Sequence, residues 1–274
     1  MSGVPDTASA IYLFCLARPQ VAQALQGPGV DGQTLVSSWT FQGLAAVISK
    51  VTQKDFCGPE AEARFEDLTW LGPRACRHEA VVEQAMRLSP VLPATFGTLF
   101  SSRKALEEFL KKHHAAICRF LDRVADKEEW AVKGLLDRKK AREEISSTIF
   151  ARQKELLSSF PQGMRYFQEQ RMLADADREL NGWVKKTCEE VMEDLRQQAA
   201  DFRYRPVLCP DLGKEGMQMI SNCALLVPRR AVAGLRARTN EANVRHRPRG
   251  LVFELSGPWP PYSFSPSLLT TAEA

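Results

Sequence analysis

The chain has 274 residues, of which 44% are hydrophobic and 26% are charged, and its formal net charge is +4 at pH 7. This length allows two domains, each large enough to bury its own core. No apolar run approaches the ~18 residues that a membrane-spanning helix needs, and so small a charge does not by itself indicate a nucleic-acid-binding protein. Composition therefore predicts an ordinary soluble protein.

The first 126 residues are predicted to form an N-terminal α+β domain. Its strand candidates are rich in β-branched and aromatic residues, and its second helix has a serine at the N-cap. Pro73 is expected in the first turn of the first helix, where a missing N–H is tolerated. The predicted elements are strands over 10–17, 34–40 and 43–51, a helix over 71–89, a bent extended segment over 89–102, and a helix over 101–125.

Residues 127–256 are predicted to form a second domain, followed by a tail over 257–274. The element order is β-α-β-β-α-β with an inserted helix, which is typical of a modified ferredoxin-like antiparallel sheet of four strands. The apolar positions of the longest helix include Phe167 and Leu173, and from Leu180 onward they are predicted to form one continuous stripe that faces a partner surface. The predicted elements are strands over 128–137, 201–210, 216–228 and 249–256, and helices over 139–159, 164–200 and 229–243.

The cysteines and the N-terminus favour a cytoplasmic location. The apolar stretch at residues 11–17 is interrupted by Arg18 and Pro19 and follows no basic segment, so no secretion signal is expected. Scattered cysteines without a C-x-x-C pair are typical of free, mostly buried side chains in a reducing compartment. The seven cysteines are Cys15, Cys57, Cys76, Cys118, Cys188, Cys209 and Cys223.

The sequence contains no phosphate-binding loop, zinc-protease motif or hydrolase elbow. The neighbours His113 and His114 point about 100° apart on a helix, so they are poorly placed to bind one metal ion. Cys76 and His78 also face different ways, and we interpret them as a core cysteine and a surface or half-buried histidine; a catalytic pair is the weaker alternative. We therefore predict no catalytic residue, metal or cofactor, and not an enzyme.

A basic strip follows in the second half, where a single acid, Glu241, accompanies seven arginines. A ferredoxin-like sheet is a common RNA platform, so the strip could bind RNA or another anion. However, the neighbouring strand candidate has no stacking aromatic residue, and charge runs are usually solvated faces. We favour a solvated face that docks an acidic protein surface, and nucleic acid is not the expected partner. The strip consists of Arg229, Arg230, Arg236, Arg238, Arg245, Arg247 and Arg249.

The segment "GPWPPYSF" at residues 257–264 combines three prolines with three aromatic residues. Because the prolines restrict the backbone, the rings offer contact area at low entropic cost. They can clamp the chain's own domains or dock a partner, and we favour the clamp. In "LPATFGT", Gly97 is expected at a turn that needs an unusual backbone angle. The candidate partner-binding or domain-clamp residues are Phe96, Gly97, Trp259, Pro260, Pro261, Tyr262 and Phe264.

Three segments together resemble the gas vesicle protein family GvpF/GvpL: "RHEAVVEQAM", "SPVLPATFGTLF" and the "GPWPPYSF" ending. The resemblance extends over roughly residues 10–265. The chain departs from the family at Thr95, where an arginine usually precedes the Phe-Gly pair.

The resemblance implies a non-enzymatic accessory protein of gas vesicles, the gas-filled protein shells that provide buoyancy. Such a protein is expected to bind the small hydrophobic shell protein and other accessory proteins during nucleation or assembly. It implies two α+β domains, the second a modified ferredoxin-like one, no cofactor, no membrane, and a location at the gas vesicle or in the cytoplasm.

Overall fold

The structure is a computed structural model that describes residues 9–23, 25–159, 161–207 and 216–268. The chain divides into two compact units. The first unit consists of Met1–Lys127 together with Trp259–Ala274, and the second consists of Glu128–Pro258. The chain therefore passes into the second unit once and returns to the first for its final residues.

The first unit is built on a five-stranded sheet with the order β2-β3-β1-β4, in which β5 also pairs with β1. Residues 12–17 of the central strand β1 are fully buried, since strands pair with both of its edges and helices of the same unit pack against it. The predicted strands over 10–17 and 43–51 are confirmed, and the one over 34–40 begins later than predicted. The strands are β1 Ser9–Ala17, β2 Ser37–Phe41, β3 Leu44–Thr52, β4 Val91–Pro93 and β5 Leu99–Phe100.

Three helices accompany this sheet: α1 Pro59–Glu66, α2 Leu68–Leu88 and α3 Arg103–Val124. The start predicted for α2 is wrong, because Asp67 caps it by accepting a hydrogen bond from the Thr69 amide at 2.9 Å. Pro73 consequently lies inside the helix and not in its first turn. Ser102 caps α3, as predicted, by accepting from the Ala105 amide at 3.2 Å.

The second unit contains a four-stranded sheet with the order β7-β8-β6-β9, and β7 and β8 run antiparallel. The predicted strand over 201–210 ends at Tyr204, and residues 208–210 lie outside the described ranges. The last strand extends through Trp259, so the first residues of the predicted tail belong to it. The strands are β6 Lys127–Leu136, β7 Asp201–Tyr204, β8 Gln218–Pro228 and β9 Leu251–Trp259.

At the outer edge of β9, one side chain of the helix α6 Val232–His246 bonds to the strand backbone. The Asn243 amide donates to the Phe253 carbonyl at 2.9 Å and accepts from the Phe253 amide at 2.7 Å. Asn243 thus takes the place that a neighbouring strand would occupy, which protects this edge from pairing with another chain.

The helices of the second unit are α4 Arg138–Ser159, α5 Gln162–Arg196 and α6 Val232–His246. α4 and α5 form a hairpin, and its described core residues include Ile145 and Ile149 on α4 and Met172 and Ala176 on α5. The predicted stripe begins at Leu180, which is buried, but the two earlier apolar positions differ from expectation: Phe167 is 73% exposed, and Met172 is buried in place of Leu173. The described helices include none with the length and hydropathy to cross a bilayer.

Each unit therefore combines helices with its own sheet, and the predicted α+β class is confirmed.

Candidate functional site

The segment that links β4 to β5 is a tight turn over residues 95–98. The Thr98 amide and hydroxyl both donate to the Thr95 carbonyl, at 3.1 and 2.7 Å. Gly97, the third residue of the turn, has a φ of 87°, a left-handed conformation that glycine adopts without steric cost. The unusual backbone angle expected from the sequence is thus confirmed.

This turn is held from below by a buried chain of hydrogen bonds. The Gly97 amide donates to the Tyr12 hydroxyl at 3.2 Å, and that hydroxyl lies 2.8 Å from His78 Nδ1. His78 Nε2 lies 3.2 Å from the Ala94 carbonyl, which can only accept. The proton therefore sits on Nε2, and Tyr12 donates to Nδ1. Tyr12 and His78 thereby fasten both ends of the segment 94–97 to the core.

The environment keeps His78 neutral. Burial lowers its pKa to about 4, although the bond to the Ala94 carbonyl acts in the opposite direction. Burial also raises the pKa of Tyr12, and the Gly97 amide opposes that rise. A neutral histidine and a neutral tyrosine are what a structural hydrogen-bond chain needs at pH 7.

Our interpretation of Cys76 and His78 is wrong for both residues. Cys76 is exposed, whereas His78 is only 3% exposed. The histidine can be buried because both of its ring nitrogens have partners in the fold. Among the other described cysteines, Cys15 and Cys223 are buried, Cys118 and Cys188 are partly buried, and Cys57 is exposed. The expectation of mostly buried cysteines is therefore wrong, and Cys209 lies outside the described residues.

The two adjacent histidines of α3 have separate surroundings. The His114 ring lies 2.9 Å from the Gln42 carbonyl through Nε2, whereas the His113 ring packs 4.7 Å from that of Phe109. Within the described ranges, no group of three or more side chains suited to metal ligation comes together.

Above the turn, aromatic rings of the first unit surround an open apolar cleft. The ring of Phe56 lies 5.3 Å from Tyr12, 5.5 Å from Trp70 and 6.2 Å from Phe96, and it joins them in one cluster. The cleft has a volume of about 630 Å³, in the range typical of ligand pockets. It can accommodate apolar groups, and none of its described lining residues carries a charge. Its lining residues are Phe56, Cys57, Phe65, Leu71, Ala75, Phe96, Gly97 and Leu99.

The tail is fastened to the first unit by its aromatic residues. Phe264 is 1% exposed, and its carbonyl accepts a hydrogen bond from Arg123 at 2.8 Å. The Tyr262 hydroxyl donates to the Glu79 carboxylate at 3.0 Å. Pro260 and Pro261 are buried. These contacts join the tail to helices α2 and α3 of its own unit.

Trp259 differs from the rest of the segment in its exposure, and the Glu79 carboxylate that holds Tyr262 has a shifted pKa. Trp259 precedes the buried prolines and is 40% exposed. The pKa of Glu79 is raised, mainly by burial. The hydrogen bond from Tyr262 opposes this rise, and the charge of the nearby Glu83 adds to it. Burial also raises the pKa of Tyr262, and the charge of Glu79 adds to this effect. Tyr262 therefore stays a hydrogen-bond donor to Glu79 throughout the physiological range.

The arginines of the basic strip largely engage acids and rings of the second unit. Arg229 pairs with Glu128 at 3.6 Å, Arg249 pairs with Glu144 at 3.3 Å, and Arg238 pairs with Asp194. Two rings also receive guanidinium groups, since Arg236 lies 4.7 Å from the Trp130 ring and Arg249 lies 4.2 Å from the Trp183 ring. Arg230, Arg245 and Arg247 are exposed. These contacts give the strip a structural role, and its anion-binding alternative stays a prediction.

Two apolar features of the molecule are absent from the sequence-based candidates. Helix α1, which contributes Phe65 to the cleft, was not predicted, although Gly58 followed by Pro59 is a usual way to begin a helix. The second is the beginning of α5, where Met164, Tyr166 and Phe167 are exposed. Periodicity assigned Phe167 to a helix but could not show what the helix packs against.

Comparison with known proteins agrees with the fold. The family model described as gas vesicle synthesis protein GvpL/GvpF matches residues 10–266. Gas vesicle protein L of Streptomyces sp. (strain CB03234) is 27% identical over 264 residues, covering 93% of this chain and 92% of the relative.

Two crystal structures of gas vesicle protein GvpF share the fold. The protein from Anabaena sp. PCC7120 has a TM-score of 0.67 at 18% identity, covering 94% of this chain and 96% of its own. The protein from Microcystis aeruginosa has a TM-score of 0.64 at 14% identity, covering 94% and 99%. Since the family model spans both units of the structure, the chain belongs to the GvpL/GvpF family of gas vesicle synthesis proteins.

Proposed function

We propose that this chain is a non-enzymatic accessory protein of gas vesicle formation that acts in the cytoplasm, at the growing vesicle. It binds the small hydrophobic shell protein and other accessory gas vesicle proteins during nucleation or assembly. The observation that carries the proposal is the family match over residues 10–266, which leaves neither unit outside the gas vesicle family.

The geometry supports binding over catalysis. His78, whose pKa is strongly shifted, has both ring nitrogens engaged by Tyr12 and the Ala94 carbonyl. The nearby Cys76 is exposed while His78 is buried, so the two do not form a nucleophile and base pair. By contrast, the apolar cleft and the partly exposed Trp259 are features that a partner protein can contact.

We assign different roles to the candidate residues of the tail and of the turn beside the cleft. Pro260, Pro261, Tyr262 and Phe264 anchor the segment, and Trp259 presents a ring to a partner next to these anchors. Phe96 and Gly97 shape the turn beside the cleft. Stiff anchoring lowers the entropy lost when Trp259 binds, so the prolines contribute to affinity without touching the partner.

For the second domain, residues 127–256, we propose the modified ferredoxin-like plan, with residues 1–126 as the first domain and 257–274 as the tail. The strand order supports it: β8 lies between β6 and β7, which is the arrangement of a split βαβ unit, and β9 lies on the other side of β6.

A detergent-free pull-down with purified shell protein tests the proposed function. The chain should retain the shell protein, and Trp259→Ser should weaken the retention several-fold because an aromatic anchor is lost. Val244→Ser is the matched control, since Val244 is 72% exposed and lies on helix α6. Repeated absence of the shell protein from the unmodified chain would refute the partner assignment.

The alternative function, binding of RNA or another anion by the basic strip, makes a different prediction. Binding should fall steeply with salt and should be lost in the variant Arg236→Glu, Arg238→Glu, Arg245→Glu. A flat titration with single-stranded RNA at low salt would remove this alternative.

A further inference from the structure

The beginning of helix α5 projects beyond the core of its unit. We call residues 161–171 the prong. Met172 is the first residue of α5 whose described side chain is buried in the core, so the helical part of the prong, residues 162–171, extends about 15 Å along the helix ahead of it. Met164, Tyr166 and Phe167 are 49%, 60% and 73% exposed. The ring centroids of Tyr166 and Phe167 lie 5.9 Å apart. An exposed apolar cluster of this kind is typical of a binding surface.

The prong is also positively charged. Arg165 and Arg171 are exposed on it beside one acid, Glu169, and the exposed Arg152 lies on the other helix of the hairpin. An apolar recess with acidic surroundings therefore complements a prong that presents Tyr166, Phe167 and a net positive charge.

The apolar cleft of the first unit has those properties. Phe56 and Phe65, which line it, both lie in the segment 55–67. In that segment the single base, Arg64, is paired with Asp55 at 2.9 Å. The segment is strongly acidic, and its remaining acids are Glu60, Glu62, Glu66 and Asp67. Of these acids, Glu62, Glu66 and Asp67 are exposed.

We propose that the prong of one copy of this chain inserts into the apolar cleft of a second copy. The cleft of about 630 Å³ has room for the rings of Tyr166 and Phe167. Arg165 and Arg171 then face the acids of α1, and this charge pairing fixes the orientation in which the prong enters the cleft. Because the contact joins two different surfaces, each copy keeps one unused prong or cleft, and further copies can add in succession.

Sedimentation analysis of the purified chain over about 1 to 200 μM tests the contact, a range that detects micromolar association. The average mass should rise with concentration, and it should fall at high salt because the opposite charges are screened. Replacing Phe167 by Ser should weaken association at least tenfold, since its buried apolar area is lost. Val244→Ser, at an equally exposed position, should leave it unchanged.

Exchanging the charges of the prong and of α1 distinguishes this specific contact from nonspecific hydrophobic association. The variant Arg165→Glu, Arg171→Glu has an acidic prong and an acidic cleft, and the variant Glu62→Lys, Glu66→Lys has a basic prong and a basic cleft. Each alone should stay monomeric, and a mixture of the two should associate again because opposite charges face each other. A monomeric unmodified chain at all concentrations, or a mixture that fails to associate, would overturn the proposal and would leave the shell-protein experiment unaffected.

Discussion

Two segments of similar composition differ in burial: Tyr262 and Phe264 of one are anchored or buried, and Tyr166 and Phe167 of the other are exposed. "GPWPPYSF" at residues 257–264 and "FPQGMRYF" at residues 160–167 both combine proline with aromatic residues. Phe264 is 1% exposed, whereas Phe167 is 73% exposed. Aromatic content therefore does not decide burial, which depends on what the surrounding elements supply.

The tail lies where both of its neighbouring helices supply polar partners. Glu79 of α2 accepts from Tyr262, and Arg123 of α3 donates to the Phe264 carbonyl. The segment can thus be buried without leaving its polar groups unpaired. On the prong, Met164, Tyr166 and Phe167 are exposed, because the first described side chain of α5 that is buried in the core is that of Met172. Its rings are consequently available to another molecule.

The largest effect should distinguish the two phenylalanines. Phe264→Ala removes a buried ring and should lower the free energy of unfolding by about 3–5 kcal/mol. Phe167→Ala, the matched control on the prong, should change it by less than about 0.5 kcal/mol. Urea denaturation followed by circular dichroism measures both values. Equal losses for the two variants would mean that tail and prong do not differ in burial.

The next effect concerns pH and His78. Its pKa is lowered from 6.5 to about 4, so the unfolded chain takes up this proton more readily than the folded one. The stability that neutral His78 contributes is therefore complete above pH 6.5 and is lost as pH falls toward 4. Between pH 7 and pH 5 the loss should be about 2 kcal/mol. Urea denaturation at both pH values should show this loss in the unmodified chain and not in His78→Gln, and equal pH dependence would contradict it.

A smaller loss is expected at the turn below the cleft. Gly97→Ala should destabilise the chain by about 1–2 kcal/mol, because a residue with a Cβ is strained in the left-handed conformation. Its control is Gly182→Ala within α5, where a Cβ meets nothing within 4 Å and which should stabilise the chain by about 0.5–1 kcal/mol. Thermal unfolding of both variants should give shifts of opposite sign, and a shared sign would contradict the assigned strain.

The smallest effect tests the tail's hydroxyl anchor. Tyr262→Phe removes the hydrogen bond to Glu79 while keeping the ring, and should cost about 1 kcal/mol at pH 7. On the prong, Tyr166→Phe should have no measurable effect on the free energy of unfolding. A double variant with Glu79→Ala should show that the loss at Tyr262 depends on Glu79, and additive losses would contradict the coupling.

Much of the fold can be predicted from local patterns, and the exceptions are instructive. Strands β1 and β3 and the helix α3 follow from periodicity and from the Ser102 cap, because those signals lie in adjacent residues. The start of α2 is predicted from Pro73 alone, whereas the structure places it after Asp67, whose side chain satisfies a helix amide.

The site could be predicted only in part, since burial and pairing are properties of the assembled fold. The positive φ at Gly97 follows from its turn sequence. That His78 lies inside depends on Tyr12, which is distant in sequence, and that Phe167 lies outside depends on where the core of the second unit ends. Neither relation leaves a trace in a local pattern.

The most direct test of the account is restoration of gas vesicles in a cell whose copy of this gene has been deleted. We predict that the deletion strain lacks mature vesicles by electron microscopy and that the unmodified chain restores them. Cys76→Ala should restore them equally, because the proposed function involves no catalysis. Normal vesicles in the deletion strain, or a strict requirement for Cys76, would contradict the assignment of a non-enzymatic assembly protein.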